Sequence, residues 1–450
     1  MRINENRAST RRWPAAWAGA ALLGFVAALF SAAGVAATDP QPAFPGALGW
    51  AANTVGGRGG KIIRVTTLAP TGPGSLSAAL DADGPRIVVF EVGGVIDFAR
   101  REIKITKPFL TVAGQTAPSP GITLIRTGID VGTHDVILQH IRVRTGTAGA
   151  PKRLGWEPDA FSTVSGAYNI IVDHCSMTWA IDENLSASGA RFTGKTPDDW
   201  RKGTSHNITF SNNIIAEGLA HATHSKGEHS KGSLIHDNVS NILIIGNLYA
   251  HNYERNPLFK GGVRGMVINN LIYDPGPRAV HYNLIPQEWG DHAYQTGQLT
   301  LIGNVMRAGP STPNDVALFM LGGSGDIEFY EEDNIAVDRV GKPLEKTGRY
   351  TTSKAAILPM AKPSLPQGVT PLLSVDVQDA VIRNAGARPW DRDHVDARIV
   401  ADTIEGRGEI IDSEEDVGGY PQQLGTQQAF DEKEWDLSTM ERSARGTRVQ

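Results

Sequence analysis

The chain has a single cysteine, Cys175, among 450 residues, so no disulfide can form within it. A protein of this length must then hold itself together by its core. Cys175 lies beside an Ile-Ile-Val run and reads as a small buried hydrophobe. Excess positive charge is missing as well. The formal net charge of −5 argues against general nucleic-acid binding and leaves any anionic ligand to a local basic patch. No helical pattern of about ten to fifteen residues separates the strand-like runs, which excludes a doubly wound α/β sheet. After the N-terminus, no apolar stretch approaches the length of a membrane span.

The N-terminus itself is apolar. Arg11 and Arg12 precede an apolar run from Ala15 to Phe30, and Val35-Ala36-Ala37 offers a small-residue cleavage site. Charged region, apolar core and cleavage site together predict a secretory signal over residues 1–37. The mature chain is then expected outside the cytoplasm, secreted or periplasmic, with no membrane attachment after cleavage. An uncleaved anchor is the alternative, and the Ala- and Gly-rich composition of the run speaks against it.

Glycine is abundant, at 50 residues, which favours many turns over long helices. Gly56-Gly-Arg-Gly-Gly60 leads into a strand-like Lys61-Ile-Ile-Arg-Val65 and opens no helix, so it is a turn rather than a phosphate cradle. Ser75-Leu-Ser-Ala-Ala-Leu80 predicts one short helix, and Pro85 to Val92 a strand.

A repeat then sets in. Val136 to His140, Ile170 to His174, Ile208 to Asn213, Leu243 to Asn247, Val267 to Asn270 and Thr300 to Asn304 are brief β-branched runs ending in His or Asn. Most are followed at once by a second apolar pair, such as Ile214-Ile215 or Leu248-Tyr249. Their spacing of about 23 to 39 residues marks a solenoid. Asn tolerates the left-handed backbone that a sharp corner needs, so stacked corners predict a ladder of Asn213, Asn247, Asn270 and Asn304, with His174 at the same position. Leucine-rich repeats have a shorter, Leu-dominated period. The pattern predicts an all-β protein, a single-stranded parallel β-helix, right-handed because crossovers between parallel strands take that hand. The repeat spans residues 38–345, and residues 346–450 read as a partly irregular segment along its flank.

Three clusters on successive repeats could carry chemistry. The first is acidic: Glu157, Asp159, Asp173, Asp182 and Glu183. Carboxylates gathered from neighbouring rungs suit Ca²⁺, which accepts oxygen ligands in flexible geometry; a solvated acidic rim is the plain alternative. The second holds His221, His224 and His229 with Lys226 and Lys231, in a Gly- and Ser-broken loop without the helix that a zinc protease motif needs. The third, from His251 to Gly262 with Arg264 after it, adds Arg255 and Lys260. Such a basic concentration beside an acidic cluster suits a polyanionic ligand, against the alternative of an ordinary solvated loop.

Four stretches in order resemble secreted pectate lyases of the first polysaccharide-lyase family. They are Gly72 to Leu80 with Pro85 to Ile96; Pro158-Asp-Ala160 and Val172-Asp-His-Cys-Ser176; His229-Ser-Lys-Gly-Ser-Leu-Ile235; and Arg255-Asn-Pro257. The resemblance covers residues 43 to about 310. It implies calcium-assisted β-elimination in polygalacturonate, with Arg255 as the base that takes the C5 proton. It further implies Lys231 and Lys260 as substrate-binding residues, and Asp159, Asp182 and Glu183 as calcium ligands. Lys260 stands where many members have a second arginine, which keeps the charge but loses the bidentate fork. The expected partner is an acidic polysaccharide, acted on by a monomer. Two other readings remain open: a β-helical hydrolase of the polygalacturonase type, needing paired carboxylates across the scissile bond, and a non-catalytic polysaccharide-binding β-helix.

Overall fold

The structure, a computed structural model, describes residues 41–229 and 231–443. The expected signal over residues 1–37 lies outside the described residues. Among the described residues, no helix is long and apolar enough to cross a membrane.

Each turn of the chain contributes one strand to each of three sheets of eleven, ten and nine strands, here called first, second and third in chain order; pairing is parallel throughout except for Thr426–Gln427, which joins the edge of the second sheet antiparallel. One rung runs through Tyr168–Asp173, Ser176–Thr178 and Ser186–Ala187; the next through His206–Ser211, Ile214–Ala216 and Leu234–Ile235. The fold is the predicted parallel β-helix. The short helix Leu76–Leu80, capped by the Ser75 side chain, packs Leu76, Ala79 and Leu80 into the same core as the strands. Inside the coil, residues of like position stack: Val172 on Phe210 from the first sheet and Met177 on Ile215 from the second. Beyond residue 345 the coil continues, through Thr347–Arg349 in the third sheet and Ile357–Pro359 in the first.

The corner from first to second sheet is made by two residues. The first has a positive φ at every rung from His174 onward: 49° there, 55° at Asn212, 69° at Gly246 and 53° at Asn269. The second points inward. Asn213, Asn247, Asn270 and Asn304 form the expected ladder, which Asn334 extends by one rung, each Nδ2 donating to the next Oδ1 at 2.9–3.0 Å. The ladder corrects one expectation. Asp173 pairs with Ser211, so His174 aligns with Asn212 and it is Cys175 that aligns with Asn213. The Cys175 backbone N–H donates to Asn213 Oδ1 at 2.8 Å. At Asn212-Asn213 and Asn269-Asn270 both corner residues are asparagine, and only strand register tells which one turns inward.

Apolar residues also face outward on two sheets, because other parts of the chain cover them. Ala43, Phe44, Ala47, Ala51 and Ala52 pack on Ile137 and Ile171 of the first sheet. The helices Ser374–Asn384 and His394–Glu405 cover the second, with Val377, Val381, Val395 and Ile399 against Ile214, Leu248 and Leu271. A buried quartet fixes the second helix. Arg144 donates to Asp393 and Asp396 at 2.9 Å, Arg142 reaches Asp396 at 3.2 Å, and the Ser176 hydroxyl donates to Asp396 at 2.8 Å. Where the chain enters the third sheet, residues from all three sequence clusters meet, Asp173 excepted, which ends a strand of the first sheet.

Candidate active site at the entry to the third sheet

The backbone ladder of the coil runs on through the turns that enter the third sheet. Ala160 N–H donates to Glu183 O at 2.9 Å, Lys231 N–H to Asp182 O at 2.8 Å, Gly232 N–H to Glu254 O at 3.0 Å, and Asn256 N–H to Ala279 O at 3.1 Å. Asp159, Glu183, Lys231, Glu254, Arg255 and Arg278 therefore stand on successive rungs, although the sequence scatters them over more than a hundred positions. Arg255 itself has a φ of 63°, a left-handed conformation that costs a side-chain-bearing residue energy and is held by the turn around it.

One oxygen each from Asp159, Asp182 and Glu183 lie within 4.8 Å of one another. Adjacent residues of an extended chain face opposite ways, and these two divide accordingly. Asp182 reaches His229 Nε2 at 2.6 Å and stands 3.7 Å from His224 Nε2. Glu183 pairs with the Arg255 guanidinium, and its N–H donates to Asp159 Oδ1 at 2.9 Å. Asp159 is the uncompensated member: burial, and then the charge of Asp182, push its carboxyl well above the usual range. Burial pushes Asp182 upward too, but the hydrogen bond and charge of His229 outweigh it and hold that carboxyl low.

These residues fit the calcium that the sequence resemblance implies. The donor set is all oxygen and drawn from two rungs, and a bound cation would favour the charged form of Asp159 that burial opposes. The neighbouring set of Asp182, His224 and His229 fits a nitrogen-loving metal less well. His224 Nδ1 accepts the Lys226 N–H at 3.1 Å, so in the neutral ring Nε2 carries the proton and faces Asp182 and Glu157 as a donor.

Opposite the carboxylates lies a tier of cations. Lys231 is buried, with its ammonium 3.2 Å from Glu254 and 4.5 Å above the Tyr253 ring. Burial pushes it down to about 8. Arg278 pairs with the same Glu254 and lies 4.8 Å over the Tyr350 ring. Burial lowers Arg255 below the usual arginine value, with Asp182 and Asp159 opposing. Its Nε has no hydrogen-bond partner among the described residues. His281 lies beneath, held neutral by burial and by the charges of Arg278, Arg255 and Lys231.

The structure thus gathers Asp159, Asp182, Glu183, Lys231 and Arg255 at one place. Lys260 is held differently. It is buried, paired with Glu288 and 3.8 Å from Asp237, in an ion cluster that Arg191 shares. Sequence reasoning missed Arg278, which follows a Pro-Gly-Pro one rung after Arg255. It also missed Tyr253 and Tyr350, whose rings face these cations.

No family model matches the chain. Fungal relatives do, and two of them illustrate the match. A probable pectate lyase C of Aspergillus flavus is 33% identical over 393 residues, covering 85% of this chain and 82% of that protein. One of Aspergillus terreus is 33% identical over 401 residues, covering 87% and 85%. Among solved structures, the thermostable pectate lyase PL 47 superposes with a TM-score of 0.52 at 15% identity, covering 75% of this chain and 96% of that one. The cedar-pollen allergen jun a 1 gives 0.50 at 14%, covering 76% and 92%. At such identity the solved structures speak for the fold, a parallel β-helix, and the fungal relatives decide the rest. The chain belongs to the pectate lyase family.

Proposed function

We propose that the protein cleaves pectate, the polygalacturonate chain, by β-elimination at this site, with Arg255 as the base. The observation that carries the reading is Arg255 itself. It is a largely buried guanidinium shifted toward neutrality, set between a three-carboxylate cluster and two further cations.

The proton to be removed lies at C5 of a uronate, α to its carboxylate, and its loss sends negative charge onto that carboxylate. Lys231 and Arg278 supply fixed positive charge where it accumulates, in a site where neither has to reorganise. The rings of Tyr253 and Tyr350 pack against these two cations and restrict their movement. Asp159, Asp182 and Glu183 would hold Ca²⁺, whose Lewis acidity offsets charge on the substrate carboxylate. Glu183 has two claims on it. Were it to serve as a ligand, it would be drawn from Arg255, whose charged form would then lose the ion pair that favours it. The free base that takes the C5 proton would then be more accessible. Lys260, buried and already paired with Glu288, is given no part in this reading.

Glycosidase chemistry fits less well. Paired carboxylates for retaining or inverting hydrolysis stand about 5–9.5 Å apart on opposite sides of a bond, whereas these three crowd within 4.8 Å. A purely binding role leaves the perturbed Arg255 without a task. Residues 1–37 direct export in this reading, and the mature enzyme works as a monomer outside the cytoplasm.

The test is one assay. Mature protein is mixed with polygalacturonate, with and without a calcium chelator, and absorbance of the unsaturated uronate is followed beside reducing ends. Absorbance that rises only with calcium is expected. Reducing ends without absorbance would mean hydrolysis and would end the proposal.

A further inference from the structure

A cavity of about 660 Å³ opens at the other kind of turn, the corner from first to second sheet, where the rungs carry His140 and His174. That is within the usual size range of small-ligand pockets. Its floor is polar and its rim is aromatic: Phe44 comes from the N-terminal segment, Trp390 from the loop between the two covering helices, and Trp435 from near the C-terminus.

The floor does not suit a metal, although His140, Asp173 and His174 lie close enough to suggest one. Asp173 is already saturated, accepting from Ser211 Oγ at 2.7 Å, Asn212 Nδ2 at 3.2 Å, His174 Nδ1 at 2.8 Å and Gln139 Nε2 at 3.3 Å. The two imidazoles stack at 5.1 Å with only 21° between their planes, so their lone pairs run side by side and do not converge. An organic guest with hydroxyls suits them better. His140 Nδ1–H donates to Ala387 O at 2.7 Å and His174 Nδ1–H to Asp173, which leaves Nε2 of each ring free. Burial keeps His140 neutral, near 4, whereas the charge of Asp173 raises His174 against the pull of burial. Neighbouring rings then offer an acceptor and a donor, the pairing that vicinal hydroxyls need.

The rim completes the match. Trp390 is 59% exposed, an unusual cost for an indole, and tilts over His140 at 5.1 Å. Its face can take the C–H side of a pyranose ring. An arginine lies over each tryptophan: Arg388 at 5.2 Å from the Trp390 ring and Arg442 at 5.5 Å from that of Trp435. Arg388 is engaged by Asp391. Arg442 has Glu434 only at 3.9 Å, beyond hydrogen-bonding distance, and can meet a carboxylate.

We propose that this cavity is a second binding site for uronate oligosaccharides, remote from Arg255, with Trp390 as platform and Arg442 as carboxylate partner. It rests on the lyase reading for the choice of sugar. It would hold one stretch of polymer while another occupies the active groove, and so lower the KM for long chains alone.

The experiment compares wild type with Trp390→Ala and Arg442→Ala, both at exposed positions, and with Trp390→Tyr. Retardation in native gels containing polygalacturonate is measured beside kinetics on polygalacturonate and on trigalacturonate. Wild type should be retarded, and each alanine variant should lose about tenfold in gel affinity. KM for the polymer should rise several-fold while kcat/KM for trigalacturonate stays unchanged. Trp390→Tyr should restore most of the effect. Unchanged retardation, or an equal fall on trimer and polymer, overturns the proposal. If the wild type is retarded through Trp390 but cleaves nothing, the lyase reading fails and the binding site stands.

Discussion

Two turns of one coil do opposite work. At the corner from first to second sheet, the asparagine ladder satisfies every group it buries. Asn247 Oδ1 takes the Asn213 N–H at 2.8 Å and its Nδ2 at 2.9 Å, while Asn247 Nδ2 gives to Phe210 O and Asn270 Oδ1. None of these amides is charged, and none of their polar atoms is left over. At the entry to the third sheet the backbone ladder is the same, but the side chains on it are Asp159, Glu183, Lys231 and Arg255. Their charges are only partly matched, and the buried carboxyl and guanidinium are both shifted toward their neutral forms. The β-helix supplies rigid, evenly spaced positions at both turns. Whether a turn stabilises or reacts depends on how completely its side chains satisfy one another.

The sharpest way to break the contrast is at Arg255. Arg255→Lys keeps a cation of similar reach but returns a different pKa and loses the fork. Turnover on polygalacturonate, read as alkene absorbance, should fall by about 10²–10⁴-fold, the span that a positioned acid or base contributes. Gel affinity for the polymer should change little. Turnover close to wild type would remove Arg255 from the role of base.

The ladder should fail in the opposite sense. Asn247→Ala strands the Asn213 N–H and amide in a dry interior, a loss of roughly 2–4 kcal/mol for two unmet donors. Urea unfolding should show that loss, with activity per folded molecule unchanged. A drop in kcat at full folding would mean the two turns are coupled.

Lys231 offers a smaller, pH-dependent test. Burial holds its pKa below the ordinary lysine value, at about 8. The ammonium is present below that pH and is lost as pH rises through it. In the free enzyme kcat/KM should therefore decline above about pH 8, by roughly three- to tenfold over the next pH unit. Deprotonation of Arg255 should meanwhile raise kcat with pH. Lys231→Arg, which stays charged, should move the declining limb upward. A limb that does not move assigns it to another group.

How far this contrast could be read in advance differs between the two turns. The first corner is short and regular, so each run such as Leu243 to Asn247 announces itself by β-branched residues and a terminal asparagine. The error of one place at His174 arises because Val-Asp-His-Cys and Phe-Ser-Asn-Asn both end in two corner residues, and composition does not say which turns inward. The entry to the third sheet has no such period. It is reached after loops of very different length, between Thr178 and Ser186 in one rung and between Ala216 and Leu234 in the next. Arg255 and Asp159 stood out as members of charged clusters but took their roles only from family motifs, and Arg278, outside both, was missed. Lys260 looked available because Glu288, which captures it, lies on a later rung. The covering helices were missed because their apolar stripes, Val377 with Val381 and Val395 with Ile399, are too narrow to stand out in charged segments.

The mildest test concerns the one rung where the two kinds of residue change places. Cys175 occupies the ladder position but is not an asparagine, yet it reproduces part of the bonding there. Its Sγ lies 3.7 Å from Leu138 O, the carbonyl that corresponds to Val172 O for the Asn213 amide and to Phe210 O for that of Asn247. It also accepts the Ile141 N–H, as Asn213 Oδ1 accepts that of Cys175. Burial raises the thiol pKa, so the sulfur stays protonated and can act as donor and acceptor together. Cys175→Asn should then extend the ladder by one step, replacing weak sulfur bonds with amide bonds at some cost in packing. Stability should change by less than about 1 kcal/mol in urea unfolding, far less than for a polar residue placed in an apolar core. A loss of several kcal/mol would show that the ladder ends at Asn213 because the rung below cannot accommodate an amide.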